Sequence, residues 1–441
     1  MYKISKRNEL WKNIVLWILI LALIASAFFI LANYGEQDVW QAFFFVDGLE
    51  PVPDTMMDLF NPIIDMHGLQ DPYQNKNIIY PALACILFSF YDRLIPNSTL
   101  TATELRDSQP GIMVAYLRTI VLLLAIAYLF YRKFRLPEWK RLAVVGTLIL
   151  SAPIIYTMER GNIILETFFF SLFFIFEYDS DRPVIRELAF ISLAIASSLK
   201  LYPAVLGLLM LYEKRWKETL RLVLYGLLFF VLPFFRYAGI VSLKGFIDNL
   251  ILFSNWLLQS IGSRIDLETS FRIVHLTMGW GIQNLNETAS IFRIILIILF
   301  AANGFVTKNR WRMLLRLVML IIVIPSINFY YVALFYIPVV ALYFVHDSDS
   351  ILDFVLCLLA SLCIIPLPYW TGYEFFGQNS NRLISLSVLV INYSQMILLI
   401  LLTVSSIIDF VRAVYAWPAC VAIKNRLTDK PSSIPKHEKR T

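Results

Sequence analysis

Two aspartates four residues apart, Asp54 and Asp58 in Asp-Thr-Met-Met-Asp, are the first residues whose type and spacing suit proton transfer. A helix started by Pro53 would put both carboxylates on one face, near a helix start where the dipole favours negative charge. Beside an apolar surface, partial desolvation raises a carboxylate's proton affinity and makes it a candidate general base. The competing reading is a pair that only caps and solvates its helix, because the surrounding segment is acidic throughout, with Glu36, Asp38, Asp47, Glu50, Asp65 and Asp71 against the single base Lys76. Three cations, Arg160, Lys200 and Arg236, stand beside or between apolar runs. Charge is costly there and therefore a functional candidate by default. Together they can neutralise a phosphate carried on a lipid, whereas pairing of Lys200 with Glu159 or Glu166 would make it structural. Asn328, in Pro-Ser-Ile-Asn-Phe-Tyr-Tyr, can either hydrogen-bond a sugar hydroxyl or cap a helix. No metal centre is expected, because His67, His275, His346 and His437 are scattered and Cys85, Cys357, Cys363 and Cys420 have no CxxC spacing.

The elements that must position these residues are membrane helices. Hydrophobic residues make up 59% of the 441 positions and charged ones 16%, against about 45–50% and about 25% in soluble domains. Apolar runs recur from Trp11 almost to the C-terminus, many of them near the ~20 residues that cross a ~30 Å hydrocarbon layer. They lack the strict alternation of barrel strands, so helices satisfy the backbone. The first run lacks a small-x-small cleavage site before Asn33 and is read as a permanent anchor. The net charge of +6 sits in short connectors between runs, which excludes nucleic acid as a partner and makes membrane lipids the surroundings.

Basic connectors at 3–12, 132–141, 214–221 and 308–316, and the tail after Lys424, face the cytoplasm by the positive-inside rule. That order closes only if the apolar stretch 80–96 dips into the outer leaflet without crossing. Crossings are then expected at 13–33, 112–131, 142–157, 162–177, 188–199, 203–212, 219–235, 288–307, 313–326, 328–345, 351–367 and 383–412. The short pair 188–199 and 203–212 reads as half-helices meeting at Lys200-Leu201-Tyr202-Pro203. The expectation is an all-α polytopic membrane protein of about 12 transmembrane helices with both termini cytoplasmic. One domain spans 1–420 and a basic tail spans 421–441. Residues 34–111 form an outer loop with juxtamembrane and dipping helices, and 237–287 form a second, with a surface helix at 242–258. A third, shorter outer loop is expected at 368–382.

Several ordered motifs resemble the GT-C superfamily of lipid-dependent glycosyltransferases, and glycosyltransferase family 87 in particular, which includes polyprenol-phosphate-mannose-dependent mannosyltransferases. They are Asp54 to Phe60 (DTMMDLF), Asp71-Pro72-Tyr73 with Tyr80-Pro81-Ala82-Leu83, Arg160-Gly161-Asn162, Ser198-Leu199-Lys200-Leu201-Tyr202-Pro203 with Arg215-Trp216-Lys217, and Asn328-Phe329-Tyr330-Tyr331. Ala82, Arg160 and Asn328 depart from the family's usual second Pro, small or polar residue, and His. The resemblance implies a GT-C-like bundle in a bacterial plasma membrane, serving cell-envelope polysaccharide biosynthesis. It implies inverting transfer of a hexose, in mannosyltransferase fashion, from a polyprenyl-phosphate-sugar donor to a glycolipid or polysaccharide acceptor at the extracytoplasmic face, with no cofactor. Asp54 would be the base with Asp58 in support. Lys200, Arg160 and Arg236 would hold the donor phosphate, and Tyr73, Tyr80, Asn162, Tyr202 and Asn328 the substrates. The rivals are a transporter or flippase of lipid-linked glycans, and a polysaccharide polymerase or ligase relying on outer-loop arginines such as Arg264 and Arg272.

The charge pattern generates a direct test of topology. Arg135→Cys is expected to react with a membrane-impermeant thiol reagent only after cells are permeabilised. Labelling in intact cells would remove the dipping segment and with it the order of crossings.

Overall fold

The computed structural model describes residues 6–32, 55–95, 101–256, 264–279, 284–367, 374–377, 380–383 and 386–416. Asp54, most of the acidic segment and the 421–441 tail lie outside the described residues. The chain opens with α1 (Lys6–Ala32), followed by α2 (Met57–Met66), a 3-10 turn at Pro72–Gln74, and α3 (Ala82–Leu94). Then come α4 (Ala102–Asp107), α5 (Gln109–Lys133), α6 (Glu138–Ile149), α7 (Ala152–Arg160), α8 (Ile164–Glu177) and α9 (Pro183–Leu199). A 3-10 turn at Tyr202–Gly207 leads to α10 (Leu208–Tyr212) and α11 (Trp216–Val231), and another at Leu232–Arg236 precedes α12 (Ile240–Trp256). The remainder is α13 (Leu267–Met278), α14 (Leu285–Asn303), α15 (Arg310–Val323), a 3-10 turn at Tyr330–Phe335, α16 (Tyr336–Tyr343), α17 (Ile351–Leu362) and α18 (Leu386–Tyr415). Apart from an antiparallel two-stranded ribbon, β1 (Glu374–Gly377) with β2 (Ser380–Leu383), every regular element described is helical. The ribbon falls in the segment expected to be the third outer loop.

Among the described residues, five helical stretches are long and apolar enough to cross a membrane: Lys6–Ala32, Gln109–Lys133, Trp216–Arg236, Leu285–Asn303 and Leu389–Tyr415. A sixth results if α6 and α7, bent by 44° at their break, form one span. Pro153 sits at the start of α7, where its missing amide costs no helical hydrogen bond, and the chain turns there. The other expected crossings fall on helices of 17 residues or fewer. Length separates from burial here. Only 11–28% of the apolar windows of the five long stretches is buried, as surfaces facing lipid require, while Met313 through Val323 of α15 is buried at every position. Short helices therefore occupy the centre and long ones the periphery.

The expected break at Lys200 is present: α9 stops at Leu199, Lys200 is extended, and a 3-10 turn begins at Tyr202. The stretch expected to dip is the 13-residue α3, about 20 Å long at 1.5 Å per residue and too short for the hydrocarbon layer. The expected surface helix is α12. Asn249 of α12 donates to the carbonyls of Asn75 and Ile78 at 2.9 and 3.0 Å, and Ser242 donates to Asp71 at 2.9 Å. Asp71 also accepts from the Tyr73 amide, so Asp71-Pro72-Tyr73 is a clip that docks α12 on the segment leading to Tyr80.

Among the described residues, apolar side chains gather in two separate cores. The larger contains the bundle of α5 to α9 and α14 to α18, and the smaller contains α2, α3, Tyr73, Phe234 and Phe246. Leu199 belongs to the smaller core and Leu206 to the larger, so the break at Lys200 straddles the seam.

Close packing at the end of α14 depends on a missing side chain. A Cβ on Gly304 would lie 2.2 Å from the Tyr212 ring, which is held by its hydroxyl on the Ala301 carbonyl (2.9 Å) and by edge contact with Phe305. Overpacking of this kind costs about 1–3 kcal/mol. Gly304→Ala is expected to lower the thermal midpoint in detergent, and Gly226→Ala, which meets open space, is not. Equal midpoints would show that α14 and α10 do not meet this way.

Candidate functional site

The site begins at the turn between α7 and α8. Gly161 ends α7 in the left-handed conformation, φ 67°, which only glycine adopts without cost. A Cβ there would stand 3.1 Å from Met56 and 3.2 Å from Leu59, so the turn also needs its bareness to receive the start of α2. The Met56 amide donates to the Glu159 carbonyl at 2.6 Å, and Thr55 Oγ1 donates to Glu159 Oε1 at 3.2 Å. Held this way, Met56 is itself left-handed (φ 61°) and α2 starts at Met57. The helix therefore begins at Met57 and not at Pro53, which corrects the expected start, while Asp54 itself lies outside the described residues.

Asp58, in the first turn of α2, points back at the same turn. Its Oδ1 accepts from Arg160 Nη2 and its Oδ2 from Asn162 Nδ2, both at 2.7 Å. Asn162 Oδ1 accepts from the Ile164 amide at 2.9 Å, so this one side chain both starts α8 and fixes the carboxylate.

Beneath the turn lies a buried ion pair. Arg118 of α5 meets Glu166 of α8 with two donors at 2.5 Å each, and the remaining fork donates to the Gly161 and Asn162 carbonyls at 3.0 and 2.9 Å. Tyr91 of α3 adds a hydrogen bond to Glu166 at 2.9 Å. A buried charge is tolerated when its partner and remaining donors are all engaged. Glu166, weighed from sequence as a partner for Lys200, is taken by Arg118.

Lys200 completes the cluster from the seam. Its ammonium lies 4.7 Å from the Tyr80 ring centroid and 5.6 Å from that of Tyr331, within cation–π range. Among the described residues the ammonium has no hydrogen bond or ion pair. Lys200 sits in the extended break outside both helices, and burial pushes its ammonium down to about 8 with the Asp58 charge opposing. Tyr331 lies within electrostatic reach of Asp58, Tyr80, Tyr202 and Tyr156, and stacks on Tyr156 at 6.1 Å. The Tyr202 hydroxyl is buried and has no hydrogen-bond partner among the described residues. The result is a cation and a bound carboxylate inside a wall of four tyrosines, on the seam between the two cores.

Of the residues singled out from sequence, Asp58, Arg160, Asn162, Lys200, Tyr80 and Tyr202 converge here, and Asp54 lies outside the described residues. Tyr73 stands behind the site, buried, with its hydroxyl on the Tyr80 carbonyl at 2.9 Å. Arg236 is exposed at the end of its 3-10 turn, and among the described residues no hydrogen bond or ion pair joins it to Asp58, Arg160 or Lys200. Asn328 is buried, with its amide nitrogen on the Ile321 and Ile322 carbonyls at 3.3 and 2.7 Å. Arg264 is buried against Asp266 at 2.6 Å. Sequence reasoning assigned no role to Arg118, Tyr156 or Tyr331. Arg118 carried a usable signal, a lone charge within the apolar run 112–131. Tyr331 stood in the Asn328-Phe329-Tyr330-Tyr331 motif with no role of its own, and Tyr156 carried no signal, because aromatic residues are common throughout this chain. Among the described residues no group of His, Cys, Asp and Glu could hold a metal ion.

Removing one partner of a buried ion pair costs about 3–5 kcal/mol, whereas apolar replacement of both is often neutral. Glu166→Gln is therefore expected to lower the thermal midpoint sharply, and Arg118→Met with Glu166→Leu to recover most of it. A Glu166→Gln protein as stable as wild type would show that the pair does not hold the turn.

Comparison with curated proteins and with solved structures returns no match. The model of glycosyltransferase family 87 matches residues 79–326, more than half of the chain. The match takes in Tyr80, Arg118, Arg160, Asn162, Glu166, Lys200 and Tyr202, and leaves out Asp58 and Tyr331. The match thus covers the span that builds the Arg118–Glu166 pair, the Arg160-Gly161-Asn162 turn and the Lys200 break, and the chain belongs to glycosyltransferase family 87.

Proposed function

We propose that this membrane glycosyltransferase moves a hexose from a polyprenyl-phosphate donor to a glycolipid or polysaccharide acceptor at the extracytoplasmic face, with inversion. The observation that carries the reading is Lys200, a cation at a helix break on the seam, without an ion pair among the described residues and boxed by Tyr80 and Tyr331. Such a cation suits a phosphate that arrives from lipid, because a charge-assisted contact is strongest where water is scarce. The bundle would cross the membrane about twelve times, with its shorter helices shielded by the longer ones and both termini in the cytoplasm.

In the proposed reaction the acceptor oxygen attacks the anomeric carbon from the face opposite the phosphate. Asp54 takes the acceptor's proton as the new bond forms. The bond from the anomeric carbon to the phosphate oxygen breaks, and its electron pair leaves with the phosphate, held by Lys200. Asp58 serves as the organiser. Each of its oxygens already accepts a hydrogen bond, from Arg160 and Asn162, which ties the acidic segment to the turn. That engagement supports Asp54, four residues upstream, as the base. Arg160, spent on Asp58, would act on the donor through that carboxylate. Tyr80, Tyr202 and Tyr331 would enclose the sugar and phosphate.

The test uses purified protein, a polyprenyl-phosphate hexose and candidate acceptors. Asp54→Asn is expected to fold and to lose about 10²- to 10⁴-fold in rate, the usual cost of removing a general base. Asp58→Asn should lose less, and Lys200→Ala should raise the donor KM. Full turnover by Asp54→Asn with Asp58→Asn inactive would exchange the two roles. Unchanged donor affinity in Lys200→Ala would move the phosphate site elsewhere.

A further inference from the structure

The wall of the site that carries Tyr331 is tied at its base to a separate buried polar network. Asp266 is fully buried and accepts from three segments: Oδ2 from Arg264 Nε at 2.6 Å and from the Asn328 amide at 3.3 Å, and Oδ1 from the Thr269 amide at 2.9 Å, where it caps α13. Arg264 Nη2 donates to the Ser326 carbonyl at 3.3 Å, the Ile265 amide donates to the Asn328 carbonyl at 2.9 Å, and Arg264 pairs with Phe329 as an antiparallel bridge. Gln395 of α18 donates to the Ile265 carbonyl at 2.6 Å. Asn328 in turn holds the end of α15 through the Ile321 and Ile322 carbonyls. Two residues further on, Tyr330 donates to the Cys363 carbonyl at 3.0 Å. Tyr331 therefore follows directly on two anchored residues, Asn328 and Tyr330, with its ring stacked on Tyr156 and facing Lys200.

We infer that Asp266 is a positioning residue, acting through Asn328 and Phe329 to set the Tyr331 ring against Lys200, so that the segment entering α13 governs how well the donor is held. The inference rests on the reading of Lys200 and its tyrosines as the donor site. A carboxylate is suited to the task because it alone accepts from all three donors. An amide keeps the cap on α13 and presents an NH2 group to Arg264 and the Asn328 amide, which repels both donors. Buried polar groups left facing unmatched partners relax by moving the backbone that carries them. Here that backbone is the Asn328-Phe329 segment leading to Tyr331.

The experiment is a double-mutant cycle on the full chain with a polyprenyl-phosphate hexose as donor. Asp266→Asn is expected to raise the donor KM about as much as Tyr331→Ala, with a smaller change in kcat, and to add nothing when combined with Tyr331→Ala. Additive effects would overturn the inference, because Asp266 would then act independently of Tyr331. If Asp266→Asn fails to fold, Arg264→Lys, which keeps the charge and loses the fork to Ser326, takes its place in the same cycle. A second readout needs no turnover. Tyr331→Cys is expected to change its rate of thiol labelling when Asp266→Asn is added, with wild-type protein as the blank. An altered labelling rate alongside no sugar transfer from the wild type would sink the proposed reaction and keep the hold of Asp266 on Tyr331. An unaltered rate with normal transfer would do the reverse.

Discussion

Everything at the site hangs on the Arg118–Glu166 ion pair, because it is the contact that brings α5, α8 and the α7–α8 turn to one point. A guanidinium has five donors and only two of its bonds go to the carboxylate, so the fork can also hold the Gly161 and Asn162 carbonyls. With those carbonyls held, Gly161 is left-handed, Arg160 and Asn162 project to one side, and Asp58 binds between them. Tyr91 brings α3 to the same carboxylate. A hydrophobic pair of equal volume would pack as well and would fix none of these directions.

The same economy recurs wherever short helices meet in the bundle. Apolar helices in lipid have no hydrophobic force pressing them together, so polar contacts and close packing must specify their arrangement. Arg316 of α15 is 1% exposed and reaches Ser405, Ser406 and Asp409 of α18. Asp353 of α17 gathers Arg312 from α15 with His346 and Ser348 from the connector. Arg310 reaches Glu213 and Tyr178, joining α15 to the ends of α10 and α8. Each knot lies off the seam, and each ties an otherwise featureless apolar helix to one register.

The seam between the two cores follows from the clip at Asp71 and the break at Lys200. Asp71 docks α12 and holds the segment before α3, which carries Tyr80. The break lets one chain pass from the smaller core at Leu199 to the larger at Leu206, leaving Lys200 in neither. A cation in that position is reached from both cores and enclosed by aromatic rings from each.

By itself, the sequence determined that the chain is a helical membrane protein, that its helix breaks at Lys200, and that the segment before α5 is too short to cross. Length, hydropathy and the placement of proline depend on neighbouring residues and are local. It also brought Lys200 and Arg160 to notice, because charge beside an apolar run is conspicuous in one dimension, Asp58 through its spacing to Asp54, and Asn162 through the motif it shares with Arg160. The expectation of about a dozen full crossings outran what length alone supports, since short apolar runs inside a bundle need not face lipid over their whole extent. Only the tertiary structure decided which charges meet. Glu166 goes to Arg118 and not to Lys200, Asn328 holds the end of α15 and the Tyr331 segment, and Tyr73 stands behind Tyr80. Arg118 and Glu166, 48 residues apart, leave no trace in spacing, because the geometry that joins them is set by the packing of whole helices, and the nearer pairs form across turns whose paths that packing also sets.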